Sequence, residues 1–337
     1  MKKINVAVIG AGVLGEIHAE TFFQYQRSEL LWICDISQDR AERLARKYKC
    51  RFTTDSRDIA GDREVRAVSI ATPDFAHTDI AIEMIRAGKD IFIEKPLATT
   101  VPEAELIVNE AKKAGVRLMV DFQNRWSPTF SYIKKSINSN EIGKPLMGYI
   151  RLSNPIRVPL KMLSWASKSG PQWFLFPHTI DLARWFIGQE ASEVYAVGTK
   201  GILKEKGIDT YDAIQANIKF KTGAFITFET SWILPDSWPS NVDFKMMLLG
   251  SKGKIDAHGD HQAITVSSQD SLSWPFTLGI QEIEGKKTGF FKESILHFID
   301  SICEERQPNC TGNDGLAVTK IISGIVESIE GNKLVKF

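Results

Sequence analysis

The chain has 337 residues, with 42 Lys and Arg set against 41 Asp and Glu, for a formal net charge of +1. That length exceeds one ordinary compact core, so two domains are expected, each able to bury enough apolar surface without disulfide or metal support. The charges nearly cancel and are scattered, which excludes the electrostatic footprint of a nucleic-acid or anionic-membrane binder and leaves a small molecule as the expected partner.

Ile4 to Ile9 is a short β-branched run stopped by Gly10, and residues 13–26 carry helix formers, so the chain opens as strand, tight turn and helix. Lys2 and Lys3 ahead of this run imitate a secretory signal. Asn5 interrupts the run and no small-x-small cleavage site follows, so no export signal is expected. No stretch of about 18 consecutive apolar residues occurs, so no membrane span is expected. Leu30 to Cys34 closes a first βαβ unit. The rhythm continues with a helix at 38–49, a strand from Ala67 to Ala71, a helix at 77–87, a strand from Asp90 to Ile93, a helix at 102–114 and a strand from Arg117 to Asp121. Alternation of this kind predicts a doubly wound parallel sheet of the Rossmann type over residues 1–121.

Beyond residue 122 the strand candidates lengthen and partly alternate: Met147 to Ser153, Glu193 to Val197, Ala213 to Phe220, Ala224 to Trp232, Asp243 to Gly250 and Gln262 to Ser267. Lys221-Thr222-Gly223 and Ser251-Lys252-Gly253 read as hairpin-like turns between them. A mostly antiparallel sheet with one wet and one covered face is expected. Helices at about 178–187, 288–304 and 314–329 would cover it. The second domain, 122–337, is therefore α+β, and the C-terminal helix is a candidate to pack back on the first domain. Cys34, Cys50, Cys303 and Cys310 form no CxxC pair or cluster with histidine, and they read as free thiols of a reducing cytosol.

Gly10-Ala11-Gly12-Val13-Leu14-Gly15 follows a strand and opens a helix, the context in which G-x-G-x-x-G reads as a dinucleotide fingerprint. Gly10 permits the tight turn, Gly12 lets a pyrophosphate approach the helix N-terminus, and Gly15 permits close helix-sheet packing. Val13 and Leu14 lie within the same turn. Asp35 stands about twenty residues further on, where a carboxylate bonds the adenine ribose and repels a 2′-phosphate, so NAD is expected in preference to NADP, with Ile36 beside it. A glycine-rich turn in an unrelated doubly wound domain is the alternative. The strand from Asp90 runs into Glu94-Lys95-Pro96, which places an ammonium at the carboxyl end of a sheet strand, where open α/β sheets bind ligands. Lys95 there can stabilise charge on a reacting oxygen, or it is simply a lysine before a turn proline.

The fingerprint, Asp35, Thr72-Pro73 with His77, and above all Glu94-Lys95-Pro96 resemble the glucose-fructose oxidoreductase, inositol dehydrogenase and rhizopine-catabolism (Gfo/Idh/MocA) family over the whole chain. The resemblance implies an N-terminal Rossmann domain, a C-terminal large, mostly antiparallel open sheet, and NAD(H)-dependent oxidation or reduction of a sugar-like substrate. It gives Lys95 contact with substrate beside the nicotinamide and suggests a cis Lys95-Pro96 bond. Gly10, Gly12, Gly15, Asp35, Thr72, Pro73, His77 and Glu94 become cofactor-side positions. His18, in the helix after the fingerprint, is family-like, but a packed or capping histidine explains it as well.

Gln123-Asn124-Arg125-Trp126 resembles the family's entry into its substrate domain, so Asn124 and Arg125 are candidates to bond sugar hydroxyls, with an interdomain polar network as the equal alternative. Pro177-His178-Thr179-Ile180-Asp181 resembles the family's helix that begins with an active-site histidine. At a helix N-terminus the dipole favours neutral imidazole, the form that accepts a hydroxyl proton, which makes His178 the acid-base candidate. Many family dehydrogenases carry an aspartate four residues earlier, and here that position is Phe174. Loss of the aspartate points away from a plain inositol specificity and toward an anhydro-, amino- or ketosugar. Trp126, Trp165 and Trp173 are candidates to stack on a sugar face, against core packing. Asp181 is a partial substitute for the aspartate or a helix stabiliser. His258 and His261 mimic metal ligands, but their segment reads as a polar loop and no metal is expected. His297 reads as a helix-face residue and Asp314 as an N-cap.

Two other functions stay open on this sequence: transient oxidation by the same NAD giving net cleavage or isomerisation, and a non-catalytic dinucleotide-binding sensor. The resemblance also implies a homodimer or homotetramer assembled through the second-domain sheet.

Overall fold

Short β-branched strands buried on both faces need strand neighbours at both edges and helices above and below. In the computed structural model, which describes residues 3–259, 262 and 264–337, the first third of the chain provides both. The elements run β1 (Ile4–Ile9), α1 (Val13–Gln24), β2 (Ser28–Cys34), α2 (Gln38–Tyr48), β3 (Arg51–Thr53), α3 (Ser56–Gly61), β4 (Ala67–Ile70), α4 (His77–Arg86), β5 (Asp90–Glu94), α5 (Val101–Ala114) and β6 (Leu118–Asp121). All strands are parallel in the order β3-β2-β1-β4-β5-β6. The order reverses at β1, so the crevice beyond the carboxyl ends of β1 and β4 is the topological switch point where such sheets bind ligands.

The compact units are not the two contiguous segments expected. Met1–Gln123 joins Glu282–Thr319, and Asn124–Gln281 joins Lys320–Phe337. The reason is α10 (Phe290–Cys303), whose apolar face, Phe290, Ile295, Phe298 and Ile299, is buried. Phe298 stacks on Phe92 of β5 at 5.4 Å, and Asp300 accepts hydrogen bonds from the Tyr25 hydroxyl at 2.5 Å and Arg27 at 2.6 Å. The first unit thus covers its sheet with a helix drawn from the far end of the chain. The helix α11 (Gly312–Gly331) begins in the same unit, with Gly315 so close to Leu97 and Val120 that a Cβ would lie 2.8 Å from each.

The second unit holds α6 (Pro128–Asn138), β7 (Pro145–Ser153), α7 (Pro171–Phe174), α8 (Phe176–Ile187), β8 (Ala191–Thr199), α9 (Ile202–Glu205), β9 (Ala213–Phe220), β10 (Phe225–Ser231), β11 (Asp243–Gly250) and β12 (Lys254–His258). Short pairs β13 (Val266–Ser267) with β14 (Leu272–Ser273), and β15 (Gln281–Ile283) with β16 (Lys286–Thr288), follow, and β17 (Val335–Lys336) ends the chain. The seven-stranded sheet is ordered β12-β11-β7-β10-β9-β8-β17 and is antiparallel except for β7 beside β10. Along β9 the alternation is regular, with Ile214, Ala216, Ile218 and Phe220 buried and the residues between them exposed. On the opposite face Tyr195, Val197, Phe225 and Leu249 are exposed.

Three readings are corrected here. Of the strand expected over Gln262 to Ser267, Val266 and Ser267 alone among the described residues form one, β13, and residues 256–258 belong to β12, where His258 pairs with Lys245, instead of a polar loop. Asp314 sits inside the first turn of α11 and reaches back to the Thr311 amide at 2.9 Å, so it is the returning partner of a cap at Thr311 and not the cap itself. Among the described residues, no helix is long and apolar enough to cross a membrane.

Candidate active site

The fingerprint turn is shaped by what cannot fit beside it. Gly10 has φ +101°, and a Cβ there would lie 2.4 Å from the Ala71 carbonyl oxygen; a Cβ on Gly15 would lie 1.7 Å from the Gly10 carbonyl oxygen. Gly12 has open space around its Cβ position, the clearance a bound pyrophosphate needs. Val13 is 82% and Ile36 92% exposed, two apolar side chains standing in solvent beside the turn, and Leu14 is half-buried. Asp35 is buried and accepts from the Ala11 amide through Oδ2 at 2.8 Å, and from the Ser37 amide and Arg40 through Oδ1, each at 2.8 Å. Burial pushes its carboxyl up, but the bonds from Arg40, Ser37 and Ala11 outweigh it and leave the carboxyl below its usual range. Asp35 therefore ties the fingerprint turn to the end of β2, and a ribose would share it with a half-exposed Arg40.

Thr72 and Pro73 follow β4, half-buried, and the buried Thr72 Oγ1 has no hydrogen-bond partner among the described residues. An orphaned hydroxyl at the switch point, the clearance at Gly12 and the apolar flanks at Val13 and Ile36 fit a dinucleotide. His77 does not belong to this surface. It is fully buried, with Nδ1 2.8 Å from the Pro96 carbonyl and Nε2 3.0 Å from the Thr72 carbonyl, and burial pushes its pKa down. It clamps the loop after β4 to the loop after β5.

Lys95 follows β5, is joined to Pro96 by a cis peptide bond, and is 8% exposed. Burial pulls its ammonium pKa down, while the carboxylates of Glu94, Asp74 and Asp121 oppose that pull. The Glu94 side chain turns away from the expected cofactor side: Oε1 lies 3.2 Å from Nε2 of buried His18, which also lies 3.9 Å from Asp121. Sequence reasoning gave His18 no definite role and did not single out Asp121. The register that sets Asp121 opposite Glu94 is a property of strand pairing that spacing does not reveal.

In the second unit, His178 lies in the first turn of α8, half-buried, with its amide 3.2 Å from the Leu175 carbonyl. Arg125 forks onto Asp181 of the same helix, Nε to Oδ2 at 2.8 Å and Nη2 to Oδ1 at 2.5 Å. The ion pair accounts for both residues structurally: Asp181 is fully buried and Arg125 nearly so. Asn124 and Trp126 flank Arg125, half-buried. Phe174 is the middle ring of an edge-on stack, 5.9 Å from Trp165 and 5.7 Å from the fully buried Trp232, and Trp173 beside it is half-buried. Where an aspartate was looked for, the chain builds an aromatic wall. His258 is exposed on β12; Asp260 and His261 lie outside the described residues. His297 is half-buried on α10, with Nε2 accepting the Asn309 amide at 3.0 Å and its pKa pushed down to about 4, chiefly by burial.

Comparison with known proteins gives two family matches: an oxidoreductase family's NAD-binding Rossmann fold over residues 4–122 and its C-terminal alpha/beta domain over residues 134–337. The chain is 25% identical to myo-inositol 2-dehydrogenase of Thermotoga maritima over 335 residues, covering 99% of this chain and 98% of the relative. It is 27% identical to the NAD-dependent scyllo-inositol 2-dehydrogenase of Bacillus subtilis, covering 93% and 90%. A solved levoglucosan dehydrogenase, in complex with NADH and levoglucosan, superposes with a TM-score of 0.83 at 26% identity, covering 99% of both chains.

Proposed function

This chain belongs to the Gfo/Idh/MocA oxidoreductase family, and on that premise we propose that it oxidises a secondary hydroxyl of a modified sugar, or reduces the matching ketone, with Lys95 on the substrate oxygen and His178 taking up the proton. The chain is an NAD-dependent dehydrogenase with an NAD-binding Rossmann fold. Bound NAD supplies the hydride acceptor.

One observation supports the reading most. β1, β4 and β5 are adjacent and parallel, so Gly10, Thr72 and Lys95, which follow them, emerge at the same edge of the sheet. A lysine there donates a hydrogen bond to a hydroxyl or carbonyl oxygen and stabilises the charge that oxygen gains as its proton leaves. His178 as neutral imidazole accepts that proton, and returns it when the reaction runs toward the alcohol. The Trp165-Phe174-Trp232 stack in place of a carboxylate favours a substrate with an apolar face, an anhydro-, amino- or ketosugar, over a ring hydroxylated all round. The anhydrosugar levoglucosan, bound by the structural relative, is the first compound to try.

The test is NADH absorbance with inositols, hexoses, uronates, amino sugars and anhydrosugars, beside Lys95→Ala and His178→Ala. Turnover lost in both variants while NADH still binds supports the roles. NADH binding with no net turnover on any compound overturns the simple dehydrogenase, and product analysis without added NAD then separates transient oxidation from a sensor. The exposed Tyr195, Val197, Phe225 and Leu249 on the open sheet support a homodimer or homotetramer through that face. A monomer by light scattering would remove that reading.

A further inference from the structure

Beneath Lys95 lies a sealed group of titratable side chains that the proposed chemistry does not use. Glu94 ends β5 and Asp121 ends β6, and the two are register partners, so their carboxyls leave neighbouring parallel strands on the same face. Their side chains are 5% and 3% exposed. His18 enters from α1, with Nε2 at 3.2 Å from Glu94 and 3.9 Å from Asp121 and Nδ1 at 2.7 Å from the Ser69 hydroxyl. One ligand-type atom from each of His18, Glu94 and Asp121 falls within 4.8 Å of the others. Glu94 Oε2 and Asp121 Oδ1 are buried and accept no hydrogen bond among the described residues.

A neutral imidazole carries one N–H. If the Ser69 hydroxyl donates to Nδ1, the N–H on Nε2 serves Glu94, and the Lys95 ammonium, which also feels Asp74, offsets no more than one of the two carboxylate charges. Two carboxyls at this spacing, shut away from water, cannot both ionise. One proton relieves the repulsion, so no ion is needed. Burial first, and then the charge on Glu94, drive the Asp121 carboxyl well above its usual range, against a hydrogen bond from Ser294 of α10 and the attraction of Lys95.

We propose that Glu94 and Asp121 share a single proton, and that the one negative charge left to the pair, oriented by His18, is a positioning device that keeps the Lys95 ammonium in a site closed to water. Its catalytic consequence rests on the role proposed for Lys95; the proton count does not. The charged and titratable groups facing this network are Asp74 before α4, which also acts on Lys95, and His77, which feels Asp74 and Glu94. The sharing predicts a non-additive result. In Glu94→Gln, Asp121 loses its like-charged neighbour and ionises instead; in Asp121→Asn, Glu94 keeps the charge. Only the double variant leaves Lys95 without it.

Two measurements on the full-length protein test this. Infrared spectroscopy of the wild type at neutral pH should show a protonated buried carboxyl band, absent from each single variant. The Lys95 side-chain 13Cε resonance, identified as the one missing in Lys95→Met, should titrate in each single variant within about half a unit of the wild type. In the double variant it should titrate at least about one unit lower, the scale of one nearby opposite charge, and the alkaline limb of the kcat profile should move with it. Absence of the carboxyl band in the wild type, which needs no variant to fold, overturns the proposal, as does a double variant in which Lys95 titrates like the wild type. Turnover that survives Lys95→Ala, while the carboxyl band and the Lys95 titrations come out as expected in the wild type and the carboxyl variants, would instead sink the proposed role of the lysine.

Discussion

Gly10, Thr72 and Lys95 follow three neighbouring parallel strands and owe their placement to backbone, whereas His178, Phe174 and Trp165 lie on short helices and turns of the second unit and owe theirs to side-chain packing. The contrast separates two kinds of specificity. In the proposed cofactor region the constraint is clearance: a Cβ at Gly10 or Gly15 would meet backbone, and none is present at Gly12 to fill its open space. The other region is built from rings that fill a wall and charges locked in a fork, and if it holds the substrate as proposed, a few substitutions there should alter recognition without disturbing the sheet.

The sharpest way to break the packing-built region is to open its fork. Asp181→Ala removes the carboxylate opposite the Arg125 guanidinium in a nearly closed site, and urea unfolding should show a loss of about 3–5 kcal/mol; Arg125→Met with Asp181→Leu should recover most of it. Recovery failing in the double variant would mean the pair does more than satisfy itself. In the backbone-built region, Gly15→Ala forces a Cβ into the Gly10 carbonyl, and we expect about 3 kcal/mol of destabilisation with NADH binding lost. A folded Gly15→Ala protein that binds NADH normally would show that the turn is not held as described.

Smaller effects sharpen the contrast. Phe174→Ala removes the middle ring of a half-buried stack and should cost about 2 kcal/mol. It should raise KM for an apolar-faced sugar while leaving the NADH dissociation constant unchanged. Asp35→Asn should weaken NADH binding by about ten- to a hundredfold, since a hydrogen bond to a charged group is worth about 1.5–3 kcal/mol, and narrow the preference over NADPH. Because the folded carboxyl lies below its unfolded value, its contribution to stability is present above about pH 4 and lost as pH falls through the folded value. The stability gap between wild type and Asp35→Asn should therefore shrink in acid. A gap that widens there would contradict the bonding to Arg40, Ser37 and Ala11.

The parallel strands of the first unit were legible because burial on both faces leaves continuous β-branched runs, as in Val6 to Ile9 and Ile91 to Ile93. The three-residue edge strand β3 and the six-residue helix α3 were not, since so short a segment paired or packed on one side leaves no periodic trace, and α6 was passed over although Phe130, Ile133 and Ser136 mark its buried face. The transfer of α10 to the first unit was hidden for another reason. Its apolar stripe says that it packs, and only the face of β5 that carries Phe92 says where. The glycines, Asp35, Lys95 and His178 could be singled out as candidates because the chemistry proposed for them is tied to motif position. His77 and Glu94 share those motifs, yet their side chains turn inward to Pro96, Thr72 and His18. Motif position names a residue and leaves open which way it points.

Lys95 is proposed to act on the substrate oxygen, while the fingerprint turn, Asp35 and Thr72 are proposed to hold the dinucleotide. The most direct test of that division is a side-by-side measurement of NADH binding by fluorescence and of kcat on the best sugar of the panel for wild type and Lys95→Ala. An unchanged NADH dissociation constant is expected, with a kcat lower by about 10³-fold, the order seen when one preorganised donor to a developing oxyanion is removed. A kcat within tenfold of wild type, or NADH binding lost together with turnover, would contradict that division.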